Sequence, residues 1–208
     1  MRAFTVHTGT AAPLRRTNVD TDQIIPVRFL TRSTIAGYGE NLFNDWRDDP
    51  DFVLNDPRYA AASILVAGND FGTGSSRESA VWALAGWGFR AVIAPRFGDI
   101  FRGNAYQQGL LPVVVPQDCV DALWTLLERE PTAEVTVDLQ EREVRAAGIV
   151  QAFEVSDDDR WRLLNGLDAV ALTLQHEADI AAYEQRRRPA LPTTRRPLAE
   201  PATGGGHD

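Results

Sequence analysis

Three short apolar runs, each closed by glycine or proline, punctuate the middle of the chain. They are Ser63-Ile-Leu-Val-Ala-Gly68, Arg90-Ala-Val-Ile-Ala94 before Pro95, and Leu111-Pro-Val-Val-Val115. Runs this short and this continuously apolar predict strands buried on both faces. Between them, helical spacing predicts a helix over 76–87 and another over 98–108, the latter with Ile100, Phe101 and Ala105 on one face and Gly109 as its stop. A third helix opens at Gln117 or Asp118 and runs to about Glu128. Strand, helix, strand, helix, strand is the pattern of parallel βαβ units.

The flanks differ. Phe4–Thr8 alternates and predicts an opening strand. Residues 17–30, TNVDTDQIIPVRFL, hold a proline that argues against a continuous helix and read as a structured loop or short turn, with Asp20 and Asp22 as its anchors. Residues 31–58, with Gly37, Gly39, Pro50 and Pro57, predict a long irregular segment, a feature usually functional or mobile inside a compact domain. Beyond residue 130, Glu134–Leu139, Glu143–Ala146 and Ile149–Val155 alternate, as half-exposed antiparallel strands do. A short helix is expected over 157–165 and a final one over 168–186, with Ile180 and Tyr183 among its apolar positions. The sum is an α/β protein with parallel βαβ units and additional antiparallel strands, in a three-layer or barrel-like β/β/α arrangement.

Composition narrows the function. The chain has 208 residues, 44% hydrophobic and 24% charged, enough apolar material for one sizeable core. Residues 1–186 are expected to form the domain and 187–208 a disordered tail, rich in Pro, Gly, Thr and Arg. The net charge is −8, with residues 185–208 at about +3 offsetting a body of about −11, which argues against nucleic acid as a partner. No signal peptide and no run approaching a membrane span is evident, so a cytoplasmic protein is expected. The single cysteine, Cys119, precludes an internal disulfide and is too few for an iron–sulfur cluster within the chain. His7, His176 and His207 match no metal-ligand spacing.

The chemistry concentrates in Gly68-Asn-Asp-Phe-Gly-Thr-Gly-Ser-Ser-Arg-Glu-Ser-Ala80, at a strand-to-helix turn. Ser75-Ser-Arg-Glu78 matches a capping box, with Ser75 as N-cap and Glu78 at the third helical position. The same turn also suits an anion. A helix N-terminus presents free N–H groups and partial positive charge, and Arg77 adds a planar fork for a carboxylate. A phosphate loop would need a lysine that is absent, and a dinucleotide turn a third glycine where Arg77 stands. A hydrolase elbow would need glycine at that same position. Cap and anion site are compatible readings.

Further segments complete the pattern: Asn18-Val-Asp-Thr-Asp-Gln-Ile-Ile-Pro26, Asn41-Leu-Phe-Asn-Asp-Trp-Arg47, Asp51-Phe-Val-Leu-Asn55, Phe97-Gly-Asp-Ile-Phe-Arg-Gly-Asn104, Gly109-Leu-Leu-Pro112, Asn165-Gly-Leu-Asp168, Ala171-Leu-Thr-Leu-Gln-His176 and Tyr183-Glu184. In order and spacing these, with Asp70–Glu78, resemble the small subunit of 3-isopropylmalate dehydratase. The resemblance covers residues 1 to about 186. It implies the swivelling β/β/α domain of aconitase-type hydro-lyases and a place in leucine biosynthesis. It also implies a large partner subunit that carries a [4Fe–4S] cluster, and a small dicarboxylate substrate. By the same resemblance Ser75 takes the position of the catalytic base, while Ser76 and Arg77 hold substrate carboxylates, with Arg32 as a further contact.

Two departures stand out. Ser79 replaces the family's histidine, which either alters packing or retunes the site. Thr34-Ile-Ala-Gly37 replaces a Thr-Arg-Thr-Gly loop that helps choose the substrate side chain. The alternative is therefore a related hydro-lyase acting on another 2-alkylmalate. A non-catalytic module that kept the fold is opposed by the retention of Ser75, Ser76 and Arg77.

Overall fold

A computed structural model describes residues 1–30, 36–75 and 77–188. The chain falls into two compact units, Met1–Val170 and Ala171–Asp208. In the first, seven strands form a sheet of order β4-β3-β2-β1-β5-β6-β7. β1 (Val6–Leu14), β2 (Ile64–Ala67), β3 (Ala91–Ala94) and β4 (Leu111–Val114) pair in parallel, while β5 (Glu134–Asp138), β6 (Glu143–Ala146) and β7 (Ile149–Ala152) continue antiparallel. β1 is longer than expected because it serves both halves. Its residues Val6–Thr10 pair with β5, and Ala11–Leu14 pair with β2.

The parallel strands are buried on both faces, and alternation divides their side chains between two cores. Leu65, Ala67, Val92 and Ala94 join one, with α2 (Glu78–Trp87), α3 (Asp99–Gln108) and residues of the segments 19–30 and 38–62. Ile64, Val66, Ala91 and Ile93 join the other, with α4 (Gln117–Arg129), β5–β6 and Leu163 of α5 (Asp157–Asn165). Each face is thus covered by a layer, which makes the expected α/β architecture of parallel units with antiparallel additions.

Several expectations are refined. Residues 17–30 contain one helical turn, α1 (Thr21–Ile24), with Asp20 as N-cap: its carboxylate accepts from Gln23 N at 2.8 Å, and the Gln23 side chain accepts from Asp20 N at 2.9 Å. Residues 37–59 are irregular but firmly packed, a chain of 3-10 turns that buries Leu42, Phe43, Phe52 and Leu54. Ile100 does not share the buried face of Phe101 and Ala105 but is 55% exposed, because adjacent helical residues point about 100° apart. The helix expected over 168–186 is interrupted: α6 (Ala169–Leu174) gives way at His176 to α7 (Glu177–Arg186). There Gln175 N and His176 N turn back to Leu172 O and Thr173 O, three residues before each, and tighten the chain out of α-helical geometry. Of the tail, residues 189–208 lie outside the described residues.

Candidate active site

β2 ends at Ala67 and the chain runs through Gly68–Arg77 before α2 begins. This loop is held from both sides. Towards β3, Phe71 N donates to Arg96 O at 3.0 Å and Gly98 N to Phe71 O at 2.9 Å. Towards β1, Gly72 N donates to Val19 O at 2.7 Å and Thr21 N to Thr73 O at 3.0 Å. Single β-bridges, Asp20 with Thr73 and Phe71 with Phe97, mark the two seams. Three loops therefore meet beyond the carboxyl ends of adjacent parallel strands, the place where open α/β sheets bind ligands.

Two glycines let the loop pass. Gly72 has φ +73°, and a Cβ there would meet the Phe101 ring at 2.3 Å. Gly74 has φ +86°, in the left-handed region that residues with a Cβ rarely adopt. Beneath Gly72 lies a triad of rings, with Phe71 set edge-on to Phe97 and Phe101 at centroid distances of 6.2 and 5.5 Å. A rigid apolar floor thus sets the height of the polar loop.

Ser75 follows this turn and is exposed. Its carbonyl oxygen accepts a 2.9 Å bond from the hydroxyl of Thr21, itself only 2% exposed, so a buried side chain fixes the backbone of an exposed one. Arg77, half-buried, forms an ion pair with Asp22. Two side-chain contacts, Thr21–Ser75 and Asp22–Arg77, thereby add to the backbone bonds that join the loops from β1 and β2. Glu78 accepts from the Gln108 side chain at 2.5 Å, tying the start of α2 to α3.

The capping box read from Ser75-Ser-Arg-Glu78 does not form. α2 starts at Glu78, its N-cap is Arg77 in an extended conformation (φ −137°, ψ 105°), and no side chain among the described residues caps it. Bonds from the neighbouring loop hold Ser75 two residues outside the cap, and these outweigh the local pattern. The consequence is chemical: Ala80 N is bonded to Arg77 O at 3.2 Å, but among the described residues no side chain accepts from Glu78 N or Ser79 N, so these two stay available to an anion. Ser79, in that first turn, is 8% exposed and packs beside the core residues Ala80 and Val81.

The fold brings Ser75 and Arg77 to one place. Ser76 and Arg32, with the Thr34–Ile35 departure, lie outside the described residues. The motif had marked Asp22 and Thr21 only as part of a turn. Their partnership with Arg77 and Ser75 spans more than fifty positions of sequence and shows no local signal. Asp20 is the anchor that the sequence suggested, while Asp22 is instead the partner of Arg77.

Metal ligation is not offered by this chain's described residues. No group of three or more His, Cys, Asp or Glu among them could hold a metal ion. Cys119 is buried on α4, and burial pushes its thiol pKa up, away from the thiolate a cluster requires. An iron–sulfur cluster therefore finds no ligand set here. No helix among the described residues is long and apolar enough to cross a membrane.

Comparisons with known proteins agree with this geometry. A family model for the aconitase C-terminal domain matches residues 1–118. A LeuD_N model matches residues 121–157, and a model for the C-terminal domain of the 3-isopropylmalate dehydratase small subunit matches 170–196. The chain is 63% identical over 194 residues to the 3-isopropylmalate dehydratase small subunit of Parafrankia sp. (strain EAN1pec), covering 93% of this chain and 100% of that one. It is 60% identical over 194 residues to that of Streptomyces coelicolor, covering 93% and 98%. A crystal structure of 3-isopropylmalate dehydratase from Methanocaldococcus jannaschii superposes with a TM-score of 0.65 at 26% identity, over 86% of this chain and 99% of that one. A fold of this kind, matched over nearly its full length at such identity, means that the chain belongs to the 3-isopropylmalate dehydratase small-subunit family, a family of hydro-lyase subunits built on the aconitase C-terminal domain.

Proposed function

We propose that the chain closes over the active site of a two-subunit hydro-lyase that interconverts 2-isopropylmalate and 3-isopropylmalate in leucine biosynthesis, with Ser75 as the base. The supporting observation is the placement of Ser75, exposed yet fixed through its backbone, beside an uncapped helix N-terminus and two residues before an arginine.

Dehydration removes a proton from the carbon next to a carboxylate and hydroxide from its neighbour; rehydration returns them with their places exchanged. When bound, the [4Fe–4S] cluster of the large subunit supplies the Lewis acid for departure and return of hydroxide. Ser75 holds and returns the proton. A serine hydroxyl is a very weak acid in water, so its anion needs help. The first-turn N–H groups of α2 and the Arg77 guanidinium both favour the charged form. Arg77 also binds a substrate carboxylate, with Asp22 keeping the fork oriented until substrate arrives. Ser76 contributes to the same carboxylate contact and Arg32 to the substrate's other end. The enzyme works in the cytoplasm.

The test is to combine the chain with its large subunit, load the cluster, and follow the ultraviolet absorbance of the unsaturated dicarboxylate that dehydration forms. Turnover of both isopropylmalates is expected. Turnover of a homologous 2-alkylmalate with none of isopropylmalate would overturn the substrate, and the Thr34-Ile-Ala-Gly37 departure makes that comparison worth running.

A further inference from the structure

Away from Ser75, a cavity of about 620 Å³ opens between the end of β1, the segment Asp49–Tyr59 and the C-terminal end of α4. This is within the size of small-ligand sites, about 300–1,000 Å³. No residue of the Gly68–Arg77 loop lines it. Its charges sort into two groups. Arg15 pairs with Glu128, and Arg58 with Asp56, so these four neutralise one another within the wall. Three remain: Arg16, Asp49 and Asp51.

Arg16 is unusual in a protein of net charge −8. Among the described residues no carboxylate pairs with its guanidinium. The group lies instead on the Trp46 ring, 4.3 Å from its centroid, with Phe52 at 6.0 Å. Trp46 in turn stacks on buried Phe43 at 5.1 Å, so the platform is anchored in the core. A guanidinium held over a ring is restrained before a carboxylate arrives, and less side-chain freedom is lost on binding. Opposite in sign, Asp49 accepts Asp51 N at 3.0 Å, and Asn55 holds the Asp49 backbone carbonyl at 2.7 Å; the Asp51 carboxylate has no partner among the described residues. Between these poles Pro50, Val53 and Pro57 form an apolar wall.

We propose that this cavity binds a small zwitterion, an α-amino acid with a compact aliphatic side chain: its carboxylate on Arg16, its ammonium on Asp51 and Asp49, its side chain on the Pro50–Val53–Pro57 wall. Both charge signs are required by the lining, since a plain carboxylate leaves the aspartates unanswered and a plain amine leaves Arg16 so. The site has a physical link to the active loop. The Arg16 carbonyl accepts from Gly68 N at 3.0 Å, and Asn18 N donates to Asn69 O at 2.9 Å, so the backbone of the residue that would bind the carboxylate is tied to the start of the Gly68–Arg77 loop.

The experiment is calorimetric titration of the full chain with L-norvaline, pentanoate and n-butylamine, with nuclear magnetic resonance of the Trp46 indole as the local readout. Saturable binding of norvaline is expected, weaker by roughly tenfold or more for either single-charge analogue. Arg16→Ala abolishes binding and the Trp46 shift, and Asp51→Asn weakens binding by about fivefold or more. Ser75→Ala leaves it unchanged. Equal binding of norvaline and pentanoate would overturn the zwitterion assignment. No saturable binding, or binding and Trp46 shift that survive Arg16→Ala, would overturn the site. Asp51 is exposed, so its variant keeps the test open should Arg16→Ala fail to fold.

Discussion

Both halves of the sheet carry a carboxylate–arginine pair, Asp138–Arg145 on the antiparallel strands and Asp22–Arg77 beyond the parallel ones, and they use it in opposite ways. In the antiparallel half, buried Asp138 closes β5. Gln140 N and Glu141 N donate to one of its oxygens at 2.9 and 3.0 Å, and Arg145 pairs with the other at 2.8 Å. Burial pushes its pKa up, but the Glu141 N–H, the Arg145 fork and the Gln140 N–H outweigh that and hold it below the usual carboxylate range. In the parallel half, Asp22 and Arg77 meet at the rim of a loop whose helix start is uncapped and whose serine faces outward. One turn satisfies its polar groups from within. The other leaves donors open while its backbone is held by neighbouring loops. Unspent hydrogen-bonding capacity on a rigid backbone is what distinguishes the candidate functional end of the sheet.

The contrast predicts a graded set of effects. Ser75→Ala should lower turnover of the assembled enzyme by about 10²–10⁴-fold while leaving the urea midpoint unchanged; near-normal turnover would remove Ser75 as base. Gly72→Ala should destabilise the fold by about 2–4 kcal/mol in urea denaturation, since the new methyl must displace the Phe101 ring and accept φ +73°. Asp138→Ala should cost about 1–3 kcal/mol and leave KM untouched, the reverse of Ser75→Ala. Because the folded pKa of Asp138 is lowered, its contribution is complete above about pH 4 and fades as pH falls through the folded value. Acid titration of the variant should lack that component.

Asp22→Asn should raise KM by roughly three- to tenfold with stability almost unchanged, because an exposed ion pair contributes little to folding. An equal fall in stability would make the pair structural, like that at Asp138. The smallest effect concerns His7, whose imidazole Nε2 lies 2.8 Å from Ser63 Oγ. Burial, then Arg90 and Arg2, lower its pKa from 6.5. The unfolded chain therefore takes up the proton first, and stability should decline slightly as pH falls below about 6.5. His7→Gln should flatten the melting temperature over that range.

Much of the scaffold was legible locally. β2, β3 and β4 are continuous apolar runs ended by glycine or proline, and β5–β7 alternate, so period and punctuation identified them. The start of α2 was not. Ser75-Ser-Arg-Glu78 has the local form of a capping box, but Val19 and Thr21 hold the preceding turn from another loop and shift the helix start to Glu78. Ile100 misled for a related reason: apolar character does not say which neighbour a helix face will find.

The sequence by itself determined the family, the layer pattern and the serine-arginine loop as the candidate reactive segment, because each is written in short-range periodicity or in an ordered set of motifs. Only the tertiary structure decided that Thr21 fixes Ser75, that Asp22 holds Arg77, and that, among the described residues, no side chain caps α2 and no carboxylate pairs with Arg16 on Trp46. These depend on residues distant in the chain meeting beyond the ends of parallel strands. Hydrogen bonds and stacking between such residues follow from which strands lie side by side, and the local pattern of a segment carries no record of its neighbours across the sheet.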